Sequence, residues 1–516
     1  MYCTKCGAAL PDQAISCARC GTRLAVAGDG QAETVQPVPG APVPGEPVPG
    51  APALGGPAPA PAPAPGAGVR RRRAAVIAAV VVVVAAALLV AGSQEHWPSA
   101  VFGSPVPPPL AWTAARAPLP ADASKLSSQN SALEDVACPT AGNCVAVGYY
   151  LGSNGSASAS KGLIETLSRG TWTPAAAPGM AAAAGRFTLL VGVACPSSGS
   201  CVAVGDDSGA TGAIKPVTET LSGGTWTPGV PALPANADRS ESAYLDDVAC
   251  PAPGTCVATG WYADQGGHSQ GLIDTLSGGT WKATTAPLPA GAVASTETSQ
   301  LRTFLAAVVC PSAGSCVVTG QYTVQGGTGL DGLIDTLSGG TWTAARAPLP
   351  GDAVTSHQVA ALWTVTCLSQ GTCLAGGHYA GRGGQPRYLT ETLSGGTWTP
   401  AAPPLPADAA ANQKWDQYQS TSVAGVMCET AGSCLAVASY VSRNGGVDAA
   451  IDTLSGGSWS AARAPLPGGV AAAAKQNAYL TLVACPAPGT CVTVGGYKAK
   501  DGSAQGLIET AAYKRG

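Results

Sequence analysis

The residues best suited to chemistry are the 18 cysteines, and four of them lie close to the N-terminus. Cys3 and Cys6 form one Cys-x-x-Cys-Gly turn, and Cys17 and Cys20 form a second. Two such turns offer the four thiolates of a closed tetrahedral Zn²⁺ site. A segment this short buries too little apolar surface to fold alone, so the metal would supply its folding free energy. The spacing predicts a structural zinc without catalysis; two disulfides or a dithiol redox motif are the alternatives.

The remaining cysteines occur in pairs, with five residues between the two members of each pair. The pairs are Cys138/Cys144, Cys195/Cys201, Cys250/Cys256, Cys310/Cys316, Cys367/Cys373, Cys428/Cys434 and Cys485/Cys491. Successive pairs lie 55 to 61 residues apart, and together with the four N-terminal cysteines they account for all 18. Such complete pairing suits an oxidising compartment. We predict a structural disulfide in each pair, worth about 2 kcal/mol in the chain-entropy model.

A carboxylate also recurs at one position of every repeat. The residues are Glu165, Glu219, Asp274, Asp335, Glu391, Asp452 and Glu509. Seven acids around one ring could hold a cation or carry out acid/base chemistry. Catalysis needs dissimilar groups that converge, so we expect a structural role in which each acid accepts hydrogen bonds within its repeat.

Each repeat reads as four strands joined by Gly-rich turns. In the third repeat the first two are Tyr244–Cys250 and Cys256–Tyr262, the third is Gly271–Leu276, and a Ser-Gly-Gly turn leads to a fourth that begins at Thr280. A four-stranded unit present seven times predicts an all-β fold, a seven-bladed β-propeller.

The ends of the repeat region predict that the ring closes. The seventh repeat stops at Thr510 without its Trp-containing fourth strand, whereas Ala111–Pro120, before the first repeat, matches the fourth-strand sequence Trp342–Pro350 almost residue for residue. The N-terminal strand would complete the last blade and remove the open edges that invite aggregation. We prefer this closed ring to an open solenoid.

The connections of the blades suggest where a partner binds. Turns between first and second strands and between third and fourth strands are short and constant, whereas the connections on the opposite face vary widely. Variable loops on a rigid scaffold commonly carry binding sites. The candidate binding residues on this face are Trp261, His268, His378, Trp415 and Tyr418. The alternative is that they are ordinary surface or packing residues.

The Ser-Gly-Gly-Thr-Trp turn resembles the Asp-box turn of bacterial sialidase-type propellers. It departs from that motif because Leu276, five residues before Trp281, stands where the Asp belongs. The resemblance implies a set of arginines that grips a carboxylate and a Tyr/acid nucleophile pair. Arg239, Arg302 and Arg387, like Arg186, show no arrangement that matches such a set. We therefore expect that the protein is not an enzyme, with a sialidase-like glycoside hydrolase as the alternative.

The segment before the propeller carries the signals of membrane insertion. Residues 27–69 are a Pro/Ala/Gly-rich linker, which such composition keeps extended and solvated. Arg70–Arg73 precede the apolar run 74–92, which as a helix spans about 28 Å, close to the thickness of a bilayer core. The arginines predict a cytoplasmic N-terminus by the positive-inside rule. Residues 93–109 form a second linker, and the propeller occupies 110–516.

Residues 1–26 resemble the zinc-ribbon domains at the N-termini of many bacterial membrane proteins. The resemblance implies that Cys3, Cys6, Cys17 and Cys20 hold a structural zinc ion, the one cofactor we expect. The chain is 11% charged with a formal net charge of −3, and no basic stripe marks its repeats, so we expect no nucleic-acid partner. The sequence predicts a single-pass protein of a bacterial cell membrane, whose extracytoplasmic propeller binds an envelope protein or a polysaccharide.

Overall fold

The computed structural model describes residues 110–125, 129–153, 160–178, 187–208, 213–295, 302–324, 329–413 and 421–513. The predicted zinc ribbon (1–26), both linkers (27–69 and 93–109) and the predicted membrane segment (74–92) lie outside these residues. Within the described part, no helix has the length and apolar character needed to cross a bilayer.

Seven antiparallel sheets, each of four strands in meander order, form the fold. Blades 1 to 3 contain β2 (Ala132–Thr140), β3 (Asn143–Leu151), β4 (Ser160–Ser168), β5 (Thr171–Ala176), β6 (Thr188–Ser197), β7 (Ser200–Ser208), β8 (Ile214–Ser222), β9 (Thr225–Gly229), β10 (Ala243–Ala252), β11 (Thr255–Ala263), β12 (Ser269–Ser277) and β13 (Thr280–Thr285). Blades 4 and 5 contain β14 (Phe304–Ser312), β15 (Ser315–Thr323), β16 (Leu330–Ser338), β17 (Thr341–Arg346), β18 (Ala360–Ser369), β19 (Thr372–Ala380), β20 (Pro386–Ser394) and β21 (Thr397–Ala401). Blades 6 and 7 contain β22 (Ser422–Thr430), β23 (Ser433–Val441), β24 (Val447–Ser455), β25 (Ser458–Arg463), β26 (Ala478–Ala487), β27 (Thr490–Lys498), β28 (Ala504–Tyr513) and β1 (Leu110–Arg116), with a 3-10 helix at Ala473–Lys475 before β26.

The ring closes as the sequence predicts. Strand β1 pairs antiparallel with β28, with Trp112 opposite Ala511, and so supplies the fourth strand of blade 7. The first strand of each blade contacts the first strands of both neighbours, including β2 against β26 across the closure. The all-β, seven-bladed propeller with a closing N-terminal strand is therefore confirmed.

The constant turns also have the predicted form. In blade 3, Gly278 and Gly279 have φ values of +59° and +80°, the left-handed conformation that tight hairpins require and glycine adopts without strain. Each predicted cysteine pair forms a disulfide across the turn between the first and second strands of its blade. These turns all lie on one face of the propeller.

The two cysteines of each disulfide differ in their position within the blade. The bonds are Cys138–Cys144, Cys195–Cys201, Cys250–Cys256, Cys310–Cys316, Cys367–Cys373, Cys428–Cys434 and Cys485–Cys491. The second cysteine of every bond lies in the second strand of its blade and is only 1% to 6% exposed: Cys144, Cys201, Cys256, Cys316, Cys373, Cys434 and Cys491. The disulfides therefore join the constant turns to the buried core, which fits the predicted structural role.

The hydrophobic core lies between the blades. Leu133 and Leu163 of blade 1, for example, belong to the same buried cluster as Val494 and Ile508 of blade 7. The second strands are buried on both faces, as their continuous apolar sequences predict. Because each blade buries its faces against its two neighbours, the ring holds the seven first strands rigidly around the axis.

Candidate binding site

A central channel of about 520 Å³ runs along the first strands of the blades. Asn130 and Asn477, just before β2 and β26, line one end, and Cys138 and Pro486 line the other. The first strands begin after the variable connections and end at the disulfide turns, so the channel joins the variable face to the constant face. Its volume lies within the range of about 300–1,000 Å³ that is typical of small-molecule sites.

A β-bulge in every first strand determines which residues form the channel wall. The pairing register with the second strand shifts by one residue, as between Leu133 and Asp135 in blade 1. The extra residue of a bulge is left out of the ladder, which redirects its side chain. The bulge residues, all of which line the channel, are Glu134, Val191, Asp246, Ala306, Trp363, Ala424 and Thr481.

Among the described residues, four aromatic side chains line the channel, and we call them the mouth aromatics: Tyr149, Phe304, Trp363 and Tyr479. Phe304 is the first residue of β14 and Tyr479 the second of β26, which places them at the variable end of the channel. The Phe304 and Trp363 rings are tilted by 38° with centroids 5.3 Å apart. Tyr149, Trp363 and Tyr479 are each half-buried, so part of each side chain is accessible.

A second layer of aromatic residues supports this wall. Tyr244 stacks on Trp261, with centroids 4.6 Å apart and planes 18° from parallel. The Arg302 guanidinium lies over the Trp261 ring as well, 4.7 Å from its centroid. Trp261 is 3% exposed, belongs to the same buried cluster as Phe304 and does not line the channel. The predicted binding residue Trp261 is therefore placed behind the wall, where it supports the mouth aromatics.

His378 holds a mouth aromatic in place. The Trp363 Nε1–H donates to His378 Nδ1 at 3.1 Å, and the Ser422 hydroxyl lies 3.3 Å from the same nitrogen. His378 is 3% exposed, and burial lowers its pKa to about 4, so the imidazole is neutral near pH 7. Its Nδ1 already accepts from Trp363, which makes this Ser–His contact a poor nucleophile–base pair. The structure places the predicted residue His378 behind Trp363, outside the channel lining.

The other predicted binding residues lie elsewhere. His268 belongs to the hairpin between β11 and β12, where its Nδ1 is 3.3 Å from a carboxylate oxygen of Asp264 and its backbone N–H donates to the same residue. It does not line the channel. Trp415 and Tyr418 lie outside the described residues.

Most of the disulfide-bonded cysteines do not line the channel. Cys138 and Cys485, at the ends of their first strands, line the constant end of the channel. Their buried partners in the second strands, Cys144 and Cys491, do not line it. The sequence predicts a structural disulfide in each pair, and the structure confirms all seven. The side chain of the second cysteine is enclosed because the second strand is covered by a neighbouring blade on each face.

In six of the blades, described connections of the variable face are bonded to the hairpin between the second and third strands. Tyr150 and Tyr379, next to the last residue of their second strands, donate to Asp122 and Asp352 in the connections before their blades, at 2.9 and 2.7 Å. Backbone bridges join the same connections to the hairpins between second and third strands. The recurring tyrosines therefore fix the loops to the blade.

The recurring carboxylates lie between the blades and not at the axis. Glu391 and Asp335 are both 0% exposed, and burial raises the pKa of each to about 8. Both carboxyl oxygens lack a hydrogen-bond partner among the described residues in Glu165, Asp335, Glu391, Asp452 and Glu509. The expectation that each acid accepts locking hydrogen bonds is wrong for these five, because their carboxyl groups are buried without such a partner. Their raised pKa values keep them protonated near pH 7.

Two further aspartates, Asp135 and Asp247, were missed from the sequence. Each accepts two backbone N–H bonds, one from its own blade and one from the next. Asp135 accepts from Val136 and Val193, both at 2.6 Å. Asp247 accepts from Val248 at 2.7 Å and from Val308 at 2.8 Å. Each carboxylate thus joins two blades at the channel wall. Burial raises the pKa of both, for Asp135 to about 7.

No family model and no curated protein matches this sequence. Among solved structures, the chain is similar to a Dyadobacter fermentans protein of unknown function (11% identity, 78% of this chain and 99% of that chain, TM-score 0.43). It is also similar to Trypanosoma rangeli sialidase (13% identity, 78% and 60%, TM-score 0.39) and to Penicillium chrysogenum α-L-arabinanase (11%, 60% and 90%, TM-score 0.37). At these identities the likeness concerns the fold alone.

These matches correct one prediction. We expected from the absence of a nucleophile motif that the chain is not an enzyme, and the sialidase and arabinanase matches contradict that exclusion. The physical reason lies in the ring: groups that converge on the axis come from separate blades, so a catalytic set leaves no contiguous motif. The matches do not establish an activity for this chain, and the experiment below therefore measures product release as well as binding.

Proposed function

We propose that this protein binds a saccharide of the bacterial cell envelope at the variable end of its central channel. The observation that carries the proposal is the set of mouth aromatics in one concave channel. A pyranose ring has an apolar face of C–H groups that packs on aromatic rings. Its hydroxyl groups need hydrogen-bond partners, and Asn130, Ser422 and Thr481 among the lining residues offer them.

A saccharide fits this surface better than a protein partner does. A protein interface of standard size has an apolar core within a polar rim. Among the described residues, the large hydrophobic side chains that are strongly exposed are Val230 and Leu368, at 64% and 43%. They belong to different blades, so they supply no continuous apolar patch. The channel instead brings its four aromatic residues together on one concave surface.

We further propose that the propeller is extracytoplasmic and that residues 74–92 anchor it in the membrane. The apolar length of that segment, the four arginines before it and the complete pairing of the propeller cysteines support this topology. Residues 1–26 would then hold zinc in the cytoplasm through Cys3, Cys6, Cys17 and Cys20. Resistance of the native protein to alkaline extraction from membranes, and one equivalent of zinc per chain, are the expected measurements.

The binding proposal is tested with the full-length oxidised chain and an array of envelope polysaccharides and defined oligosaccharides. A bound sugar should lose affinity about tenfold, or about 1.4 kcal/mol, in Trp363→Ala. Trp398→Ala is the matched control, because Trp398 lies in the outer strand of the same blade and does not line the channel. Equal losses in both variants, or none in either, would contradict a channel site. Shortened products in the same mixtures would identify the channel as a hydrolytic site.

A further inference from the structure

The channel wall on either side of Trp363 is built from small side chains. Trp363 is the bulge residue of β18 in blade 5, and the first strands of blades 4 and 6 contact β18 from its two sides. The equivalent bulge residues in those strands are Ala306 and Ala424, the smallest of the seven. Both line the channel and are half-buried. The large indole therefore stands between two small neighbours, which leave room beside it.

One of these two sides is already occupied by an aromatic ring. Phe304, two residues before Ala306, lines the channel on the blade 4 side, and its ring centroid is 5.3 Å from that of Trp363 with the planes tilted by 38°. The equivalent position on the blade 6 side, two residues before Ala424, is Ser422, which also lines the channel. Because serine is far smaller than phenylalanine, the open space lies beside the indole face that is turned toward blade 6.

The hydrogen bonds of this region hold the indole by its edge and leave a polar group beside it. Trp363 Nε1–H donates to His378 Nδ1 at 3.1 Å, and an N–H bond lies near the plane of its ring. Nδ1 is therefore an acceptor and donates nothing to the Ser422 hydroxyl, which lies 3.3 Å from it. Ser422 is only 6% exposed, but it lines the channel. Its hydroxyl oxygen can accept a hydrogen bond from a ligand there.

We propose that the sugar ring packs between the blade 6 face of Trp363 and Ala424, and that Ser422 accepts a hydrogen bond from an equatorial hydroxyl at the edge of the ring. This inference rests on the proposed saccharide-binding function and adds the subsite and the class of sugar. A ring whose hydroxyls are all equatorial, as in glucose, presents C–H groups to Trp363 and Ala424. An axial hydroxyl would be buried against one of these apolar surfaces without a partner, which costs free energy.

The first test compares two tetrasaccharides on the full-length wild-type protein. The ring hydroxyls of cellotetraose are equatorial, and β-linked mannotetraose differs from it in one axial hydroxyl on each ring. We expect cellotetraose to bind at least about tenfold more tightly. Equal affinity, or tighter binding of mannotetraose, would overturn the inference, and this comparison does not depend on the folding of any variant.

A matched pair of variants locates the subsite. Ala424→Leu fills the space on the blade 6 side and should weaken cellotetraose binding at least about tenfold. Ala306→Leu makes the same change on the Phe304 side and should weaken it by no more than about threefold. Ser422→Ala removes the acceptor and should cost up to about tenfold. Ser458→Ala, at an exposed serine of the same blade outside the channel lining, is its control.

The melting temperature of each variant shows whether it folds as the wild type does. Equal losses in the two leucine variants, at unchanged melting temperatures, would overturn the subsite while saccharide binding stands. Binding of neither tetrasaccharide, together with binding of another sugar that Trp363→Ala abolishes, would overturn the class of sugar and leave the proposed function in place. Absence of binding to every saccharide would overturn both proposals.

Discussion

The interblade interfaces and the channel wall are made from the same seven repeats. The repeats carry the same type of residue at the interfaces but different types of residue at the channel wall. Between the blades, each repeat contributes a carboxylic acid at one position, as Glu165 and Asp452 do. At the bulge, the repeats contribute an acid, a tryptophan, a threonine or a small apolar residue. Positions with the same residue type in every repeat hold the ring together. Positions with different residue types can recognise a ligand that has no sevenfold symmetry.

The largest expected effect comes from the constant region, as a loss of stability at high pH. Glu391 ionises near pH 4.5 as an ordinary carboxyl, and burial raises its pKa to about 8. Its contribution to stability is therefore complete below the lower value and is lost as pH rises through the upper one, by on the order of 4 kcal/mol per group. The melting temperature should fall steeply between about pH 5 and about pH 9.

A matched variant separates this effect from a general response to alkali. Glu391→Gln keeps a neutral side chain of similar shape at every pH. We expect little change in its melting temperature at acidic pH and a higher value than wild type at alkaline pH. A wild-type protein that is equally or more stable at alkaline pH would show that the interblade acids are ionised in the folded state.

The next largest loss of stability is expected at Asp247, which lines the channel and also links blades 3 and 4. Asp247→Ala removes the acceptor of the Val248 and Val308 N–H groups and should lower the free energy of unfolding by about 3 kcal/mol. Chemical denaturation measures it, with the exposed Glu241→Ala as control. A loss no larger than that of the control would mean that Asp247 belongs functionally to the channel and not to the link between blades 3 and 4.

Removal of one disulfide should have a smaller effect, confined to stability. Replacement of Cys310 and Cys316 by Ala is expected to cost about 2 kcal/mol of unfolding free energy. Saccharide affinity should stay at the wild-type value, because this turn lies on the constant face, opposite the mouth aromatics. A change in affinity without a change in stability would reverse the assignment of function to the two faces.

The smallest effect is expected at His378. His378→Leu removes the acceptor of the Trp363 Nε1–H, which should weaken saccharide binding by up to about tenfold, the value of one hydrogen bond. His378→Gln can present an amide oxygen and should recover part of the loss. Equal affinities of the Leu and Gln variants, measured alongside their melting temperatures, would show that packing and not this hydrogen bond positions Trp363.

Much of the fold was predictable from the sequence because each blade is encoded locally. The cysteine spacing indicated the period, the Gly-Gly dipeptides indicated the hairpins, and the displaced Trp112 strand indicated the closure. The binding site was harder to predict from the sequence. Trp261 and His378 were identified as candidates from residue type, but both lie behind the wall, because side-chain burial depends on the neighbouring blade.

The channel itself was decided by the tertiary structure. Glu134 and Asp246 look like ordinary polar residues of their strands, and only the bulge register shows that they line the axis. Bulge residues from seven repeats, far apart along the chain, meet there because the ring closes. The blades, their turns, their disulfides and their order follow from local patterns in the sequence. Closure of the ring decided which variable residues face one another, because that depends on where each strand lies around the axis and not on any local pattern.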